Sequence, residues 1–228
     1  WGRALAILTA EAGHQPRMGY RSSPPRGFPG TPNYKALARE SDLIVLAVPP
    51  AAVREVITAA APGPGQRVVV ATRGLEPGGM WLSQVVTEAS SCLRVGALAG
   101  PALAAEVEGR RPSAMVVASA FDEVSQLGQE ALHSNICRVY SSRDLLGVEL
   151  AGALVGVLAA AIGMGDGLQL GVGVHGIIVT RGIAEGVRLG ASLGADAQTF
   201  SGLAGVGDLV SCGSHPSHPG YQIGKQLA

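Results

Sequence analysis

The stretch DLIVLAVPP, residues 42–50, decides the fold. An unbroken run of strand-forming apolar residues closed by two prolines is the pattern of a strand buried on both faces, as in a parallel sheet. VREVITAAAPG follows with helical spacing, and RVVVATRG (67–74) repeats the strand pattern. Strand, helix and strand in that order form a βαβ unit.

Towards the C-terminus the alternation continues. WLSQVVTEAS reads as a helix, LRVGALAGP (93–101) as a strand, LAAEVEG as a helix and SAMVVAS (113–119) as a strand. Residues 121–132 predict one more helix and ICRVYSS one more strand. Towards the N-terminus, RALAILTAEAGH (3–14) has helical spacing and ends near Gly13, and PRMGYR is a short extended piece. The prolines of RSSPPRGFPGTPNY exclude regular structure and predict a surface loop. From Arg143 only helical patterns remain, over 144–163, 174–190 and 196–211. The expected fold class is therefore α/β, a Rossmann-like doubly wound sheet followed by an all-α domain. The division falls at 1–142 and 143–228.

Composition narrows the chemistry. The formal net charge is zero, and Lys35 and Lys225 are the only lysines among 17 basic residues, so nothing marks a nucleic-acid or anionic-membrane surface. The 33 glycines and 4% aromatic content imply small-residue packing with close backbone approaches. Three widely spaced cysteines do not form a disulfide framework, which indicates a reducing, cytoplasmic setting. The uncharged run from Leu150 to Gly165 is shorter than the roughly 20 residues of a bilayer span and reads as a buried helix.

Two local features bear on function. Trp1-Gly2 leads directly into a helix, where exposed backbone N–H groups can hold a pyrophosphate. The extended piece after that helix ends at Arg21, a residue type that suits a 2′-phosphate and favours NADP over NAD. In CGSHPSHPG, Cys212, His215 and His218 are metal-ligand types at three-residue spacing, but no fourth ligand suggests itself. No metal is expected. The two prolines point to an extended loop closing over substrate.

VATRGLEPGG, ALAGPALAAEV, VELAGAL, GIIVTRGIAEGVRLGASLGA and TFSGLAGVGDLVSCGS resemble, in order and spacing, the NAD(P)-dependent glycerol-3-phosphate dehydrogenases. The resemblance implies reduction of dihydroxyacetone phosphate to sn-glycerol 3-phosphate by hydride from NADH or NADPH. Family members begin with a strand and a GAGAWG fingerprint, so Trp1 and Gly2 match its end, and the first strand is expected to be missing. The family also continues with further helices beyond Ala228. Trp1, Gly2, Arg21, Pro49 and Ala104 match cofactor-binding positions. Arg73 stands at the lysine of ATKG, which serves cofactor and substrate. Gly100 and Ala102 match the GPS segment, with a methyl in place of the hydroxyl. Arg181 and Asp208 match substrate-side residues, and Ser217-His218-Pro219 matches SRN, which contacts phosphate and cofactor. The expected partner is a small phosphorylated substrate, with a homodimer allowed.

One position departs from the pattern in a way that matters for chemistry. The family reads close to GGALKN, whose lysine is general acid and base; here AGALVG puts Val155 at the lysine and Gly156 at the asparagine. Valine carries no transferable proton. Either His175 or His218 replaces the lysine, with Asp208 orienting the acid or a water, or the chain is a non-catalytic nucleotide or metabolite sensor. A related dehydrogenase acting on another hydroxy acid is a third reading. As the plain structural alternatives, Arg181 is a helix-surface ion-pair partner and Asp208 a helix N-cap.

Overall fold

The computed structural model describes the backbone of residues 1–228 and every side chain except that of Cys212. Helix α1 (Gly2–Glu11) leads to two short strands, β1 (Met18–Gly19) and β2 (Gly30–Thr31). Then come α2 (Tyr34–Arg39), β3 (Leu43–Leu46), α3 (Val53–Ala60), β4 (Arg67–Val70), α4 (Leu82–Ala89), β5 (Arg94–Ala99), α5 (Ala104–Glu108), β6 (Ser113–Ser119), α6 (Asp122–Leu132) and β7 (Cys137–Ser142). The helical region comprises α7 (Leu145–Gly167), α8 (Val172–Leu193), α9 (Ala197–Ser201) and α10 (Pro219–Leu227), with π-helical turns over Leu203–Gly207 and Leu209–Gly213.

Strands β3 to β7 form one sheet in sequence order. β3, β4 and β5 run parallel, as expected of a Rossmann-like α/β sheet, but β6 pairs antiparallel to β5, Gly96 opposite Ser119. The link between them holds only the five-residue α5, a rise of about 7.5 Å, in place of the longer helix usual in a parallel crossover. The short extended piece near Arg21 does not join this sheet. β1 pairs only with β2, in a separate two-stranded sheet. The proline-rich segment, expected to be irregular throughout, thus contributes β2, and it ends in an unforeseen helix, α2, capped by Asn33 accepting the Ala36 N–H at 3.0 Å. A cavity of about 1060 Å³ lies between α1, β1 and β3, lined by Leu5, Ala6, Met18, Leu43 and Val45 among others.

The apolar stretch 148–163 lies within α7, which is long and apolar enough to cross a membrane by length and composition. Half of that apolar window is buried inside the fold. Its first turns share a core with the sheet, Val148, Leu150 and Ala151 packing with Ala97, Ala99, Val116 and Ala118. Its second half meets α10 through backbone. A Cβ on Gly224 would stand 1.9 Å from the Ala160 carbonyl oxygen, and one on Gly163 would stand 2.0 Å from that of Tyr221. Small residues here are the condition for helix–helix contact. α10 itself goes beyond the sequence expectation, because Pro219, read as part of a loop, stands at the first helical position, where its missing N–H costs nothing.

Candidate active site

Arg73 follows β4 in the loop 71–81. The hydroxyl of Thr72 donates to the Val48 carbonyl at 2.7 Å, which ties this strand end to that of β3. The Arg73 guanidinium donates through Nε to Asp208 Oδ2 at 2.6 Å and through Nη2 to Asp208 Oδ1 at 2.8 Å. Nη2 also donates to the Gly100 carbonyl at 3.1 Å. The Asp208 side chain is 0% exposed and that of Arg73 30%. Asp208 is thus no helix N-cap; it sits between two π-helical turns and forms the anionic half of a buried ion pair.

Glycine is required at 100. Its φ is +129°, and an added Cβ would stand 2.9 Å from the Met115 Cα. Ala102 is buried beside it, its N–H donating to the Gly100 carbonyl at 2.8 Å. Gly152 of α7 packs under Arg73, where an added Cβ would lie 3.5 Å from the Arg73 Cγ. One turn on, Val155 is buried with Leu209, Ile162 and Tyr221. A Cβ on Gly213 would be 3.2 Å from the Val155 Cγ1. The position matched to the family lysine therefore faces the segment that carries Asp208, and apolar contacts fill it.

His218 is half-buried at the N-cap of α10, where its Nδ1 accepts the Gly220 N–H at 3.1 Å. That bond assigns the proton of the neutral ring to Nε2. Burial, then the Arg73 guanidinium, push its pKa below the usual imidazole value, and the Asp208 carboxylate acts the other way. His218 therefore belongs to the electrostatic neighbourhood of the Arg73–Asp208 pair. Ser217 is exposed, its hydroxyl paired with His215 Nδ1 at 2.7 Å.

Two expected residues stand apart. His175 pairs through Nε2 with Asp166 Oδ1 at 2.7 Å, and the Tyr221 hydroxyl donates to the other oxygen of that carboxylate. Asp166 lies eleven residues beyond Val155 on α7, about 16 Å along the axis. His175 therefore ties α7 to the start of α8, and the expectation that it replaces the lysine is corrected. Arg181 is solvent-facing, its side chain 73% exposed and 3.7 Å from Glu185 one turn on. α8 turns its glycine face inward, with Gly182, Gly186 and Gly190 buried, and Arg181 is left outside. Its expected place against substrate phosphate is likewise not borne out by this position. Among the described residues no group of three metal-ligand side chains forms. The Cys212 arm of the Cys212–His215–His218 arrangement lies outside the described residues.

Of the residues matched to cofactor-binding positions, Trp1, Gly2, Pro49 and Ala104 lie near the C-terminal ends of the parallel strands. The Trp1 indole N–H donates to the Ala71 carbonyl at 2.9 Å, which fixes the start of α1 beside the end of β4. Gly2 approaches Ala47, just past β3, where an added Cβ would lie 3.5 Å from the alanine methyl. No side chain caps α1, so its first N–H groups are open to an anion. Pro49 is the exposed residue before the turn Pro50–Ala52, and Ala104 is the first residue of α5. Arg21 is exposed beyond β1. Glu149 carries no role in the sequence argument, yet its carboxylate accepts the Ser83 N–H at 2.9 Å and the Ser83 hydroxyl. Its signal was its solitude, a lone carboxylate entering an apolar helix.

Two family models match, both described as NAD-dependent glycerol-3-phosphate dehydrogenase: the N-terminal part over residues 24–125 and the C-terminal part over 144–228. The glycerol-3-phosphate dehydrogenase (NAD(P)+) of Trichormus variabilis is 39% identical over 100% of this chain and 73% of its own length. That of Streptomyces coelicolor is 37% identical over 100% and 70%. The crystal structure of glycerol-3-phosphate dehydrogenase from Coxiella burnetii superposes with a TM-score of 0.89 at 31% identity, covering 100% of this chain and 77% of that one.

Proposed function

The chain belongs to the NAD-dependent glycerol-3-phosphate dehydrogenase family, and from that premise we propose that it interconverts dihydroxyacetone phosphate and sn-glycerol 3-phosphate, with His218 donating a hydrogen bond to the substrate oxygen that the absent lysine would protonate. As a member of this family it is an NAD(P)-dependent oxidoreductase with a Rossmann-like domain. In this proposal residues 1–142 serve the cofactor and 143–228 the substrate, in a cytoplasmic setting that suits the buried free thiols of Cys92 and Cys137. The uncapped start of α1 beside Ala47 and Ala71 fits a dinucleotide pyrophosphate, with Pro49 and Ala104 at neighbouring strand ends. The nicotinamide, when bound, supplies the hydride.

The observation that carries the proposal is the buried Arg73–Asp208 pair with His218 inside its field. Arg73 offers a fixed cation to the substrate phosphate. Asp208, unable to leave that cation, holds it in place. His218 donates a hydrogen bond from its Nε2–H to the oxygen on which negative charge develops as the carbonyl is reduced, and a water supplies the proton that the alkoxide takes up. Residual activity is expected to be low, because loss of an optimal general acid typically costs about 10²–10⁴-fold.

The test is NADPH and NADH oxidation with and without dihydroxyacetone phosphate. Substrate-dependent oxidation that collapses in His218→Ala supports the assignment. Cofactor binding with no oxidation at any enzyme concentration overturns it and leaves the sensor reading.

A further inference from the structure

We propose that Glu149 is a positioning residue that sets Arg73 against α7 by fastening the first turn of α4 to α7. The inference rests on the function proposed above only for its kinetic consequence.

The Arg73 loop is pinned on several sides. Thr72 binds the Val48 carbonyl at its start. In its middle Glu76 receives two hydrogen bonds from Arg54, at 2.6 and 2.8 Å, and Arg54 also reaches Glu88 at 2.7 Å. These contacts hold the loop to α3 and to α4. Where the loop passes into α4, the Trp81 side chain caps nothing. The acceptor for the first turn comes instead from Glu149, 66 residues away on α7. An ordinary cap would come from a local Ser, Thr, Asp or Asn. A carboxylate brought from another helix joins two segments as well as satisfying an N–H.

Helical spacing connects this bond to the site. Glu149 and Gly152 are neighbours at a spacing of three along α7, as are Gly152 and Val155, so the three step round the helix over two turns. Glu149 holds the end of the Arg73 loop, Gly152 admits the Arg73 stem, and Val155 packs under the Asp208 segment. Two turns of one helix thereby touch both the loop that carries Arg73 and the segment that carries Asp208. The carboxylate is costly to keep there. Burial pushes the Glu149 pKa up, and the Ser83 and Leu82 donors offset only part of that. A surface glutamate could not do this work.

The experiment uses the 228-residue chain with Glu149→Ala, Glu149→Gln and Ser83→Ala. The first readout is the Arg73 Nε–H proton resonance, assigned by its loss in Arg73→Lys. In Glu149→Ala it is expected to move away from its hydrogen-bonded position or broaden. The second is kinetic: KM for dihydroxyacetone phosphate rises by about tenfold to a hundredfold, the scale of a small misplacement, while KM for NADPH holds. Glu149→Gln, which keeps an acceptor in place, restores most of it. A folded Glu149→Ala with an unmoved Arg73 resonance overturns the proposal. If that variant does not fold, Ser83→Ala decides, with a smaller shift in the same direction expected and no shift overturning the proposal. Should the wild type fail to turn over dihydroxyacetone phosphate, the functional proposal falls, and the resonance still decides the role of Glu149.

Discussion

Arg73 and Asp208 lie 135 residues apart and meet in a two-pronged ion pair, Nε to Oδ2 at 2.6 Å and Nη2 to Oδ1 at 2.8 Å. The carboxylate has no exposure at all, and a fixed cation faces it to support its charge. Removing the cation strands the anion. Arg73→Met is expected to lower stability by about 3 kcal/mol. Arg73→Lys, which keeps the charge but loses the fork, is expected to cost about 1 kcal/mol. Urea unfolding followed by circular dichroism separates them, and equal losses would show that the fork geometry contributes nothing.

Val155 blocks the place matched to the family lysine, packed by Leu209 with Gly213 close by. Val155→Lys should find Asp208 within reach of its ammonium and share it with Arg73. Turnover should rise by about 10²-fold, the lower end of what a general acid supplies. Steady-state NADPH oxidation measures it. A folded variant with no gain would mean that position 155 does not face the reacting carbonyl.

The pH profile reports on His218. Its pKa lies below the usual 6.5 because of burial and Arg73, so the neutral ring persists to lower pH in the folded protein. The neutral ring is the form that caps α10 through Nδ1 and donates through Nε2, so the rate of glycerol 3-phosphate oxidation should hold on acidification through pH 6.5 and fall only below it. The unfolded chain binds this proton more readily than the folded one, so the stability His218 contributes is present above pH 6.5 and lost as pH falls towards the folded value. His218→Gln should flatten both dependences. Profiles identical to wild type would remove His218 from the chemistry.

The contact between α7 and α10 is testable with single methyl groups. Gly163→Ala and Gly224→Ala each place a Cβ about 2 Å from a carbonyl oxygen of the other helix, and each should destabilise by about 1–3 kcal/mol. Gly156→Ala is the control. Nothing lies within 4 Å of its added Cβ, and helix propensity should make it neutral or stabilising by up to about 1 kcal/mol. Thermal melts of the three proteins give the order directly.

The strands of the main sheet are legible because their apolar runs are unbroken: 42–50 contains β3, and 113–119 coincides with β6. Direction was not legible. Whether β6 returns parallel or antiparallel depends on the path of residues 100–112, and a five-residue helix in a Gly- and Pro-flanked segment leaves no periodicity to read that path from. Arg73 and Asp208 were visible as motif residues, but their pairing spans most of the chain and leaves no local trace. His175 and His218 looked equivalent as candidate acids. What separates them is axial distance along α7 and a helix cap on α10, which only the folded chain fixes. Arg181 shows the same limit, because a charged residue next to a buried glycine reads identically whether it points in or out.

The backbone contact between α7 and α10 has a consequence for how this site can change. His218 rides at the head of a helix whose distance from α7 is set by main-chain atoms, with Gly220 against the Gly156 carbonyl and Gly224 against that of Ala160. The closest of these contacts involve no side chain at 155. The site is therefore a frame with exchangeable parts. A proton donor can be deleted from one helix while the imidazole on the other keeps its place, so chemistry and architecture can drift at different speeds.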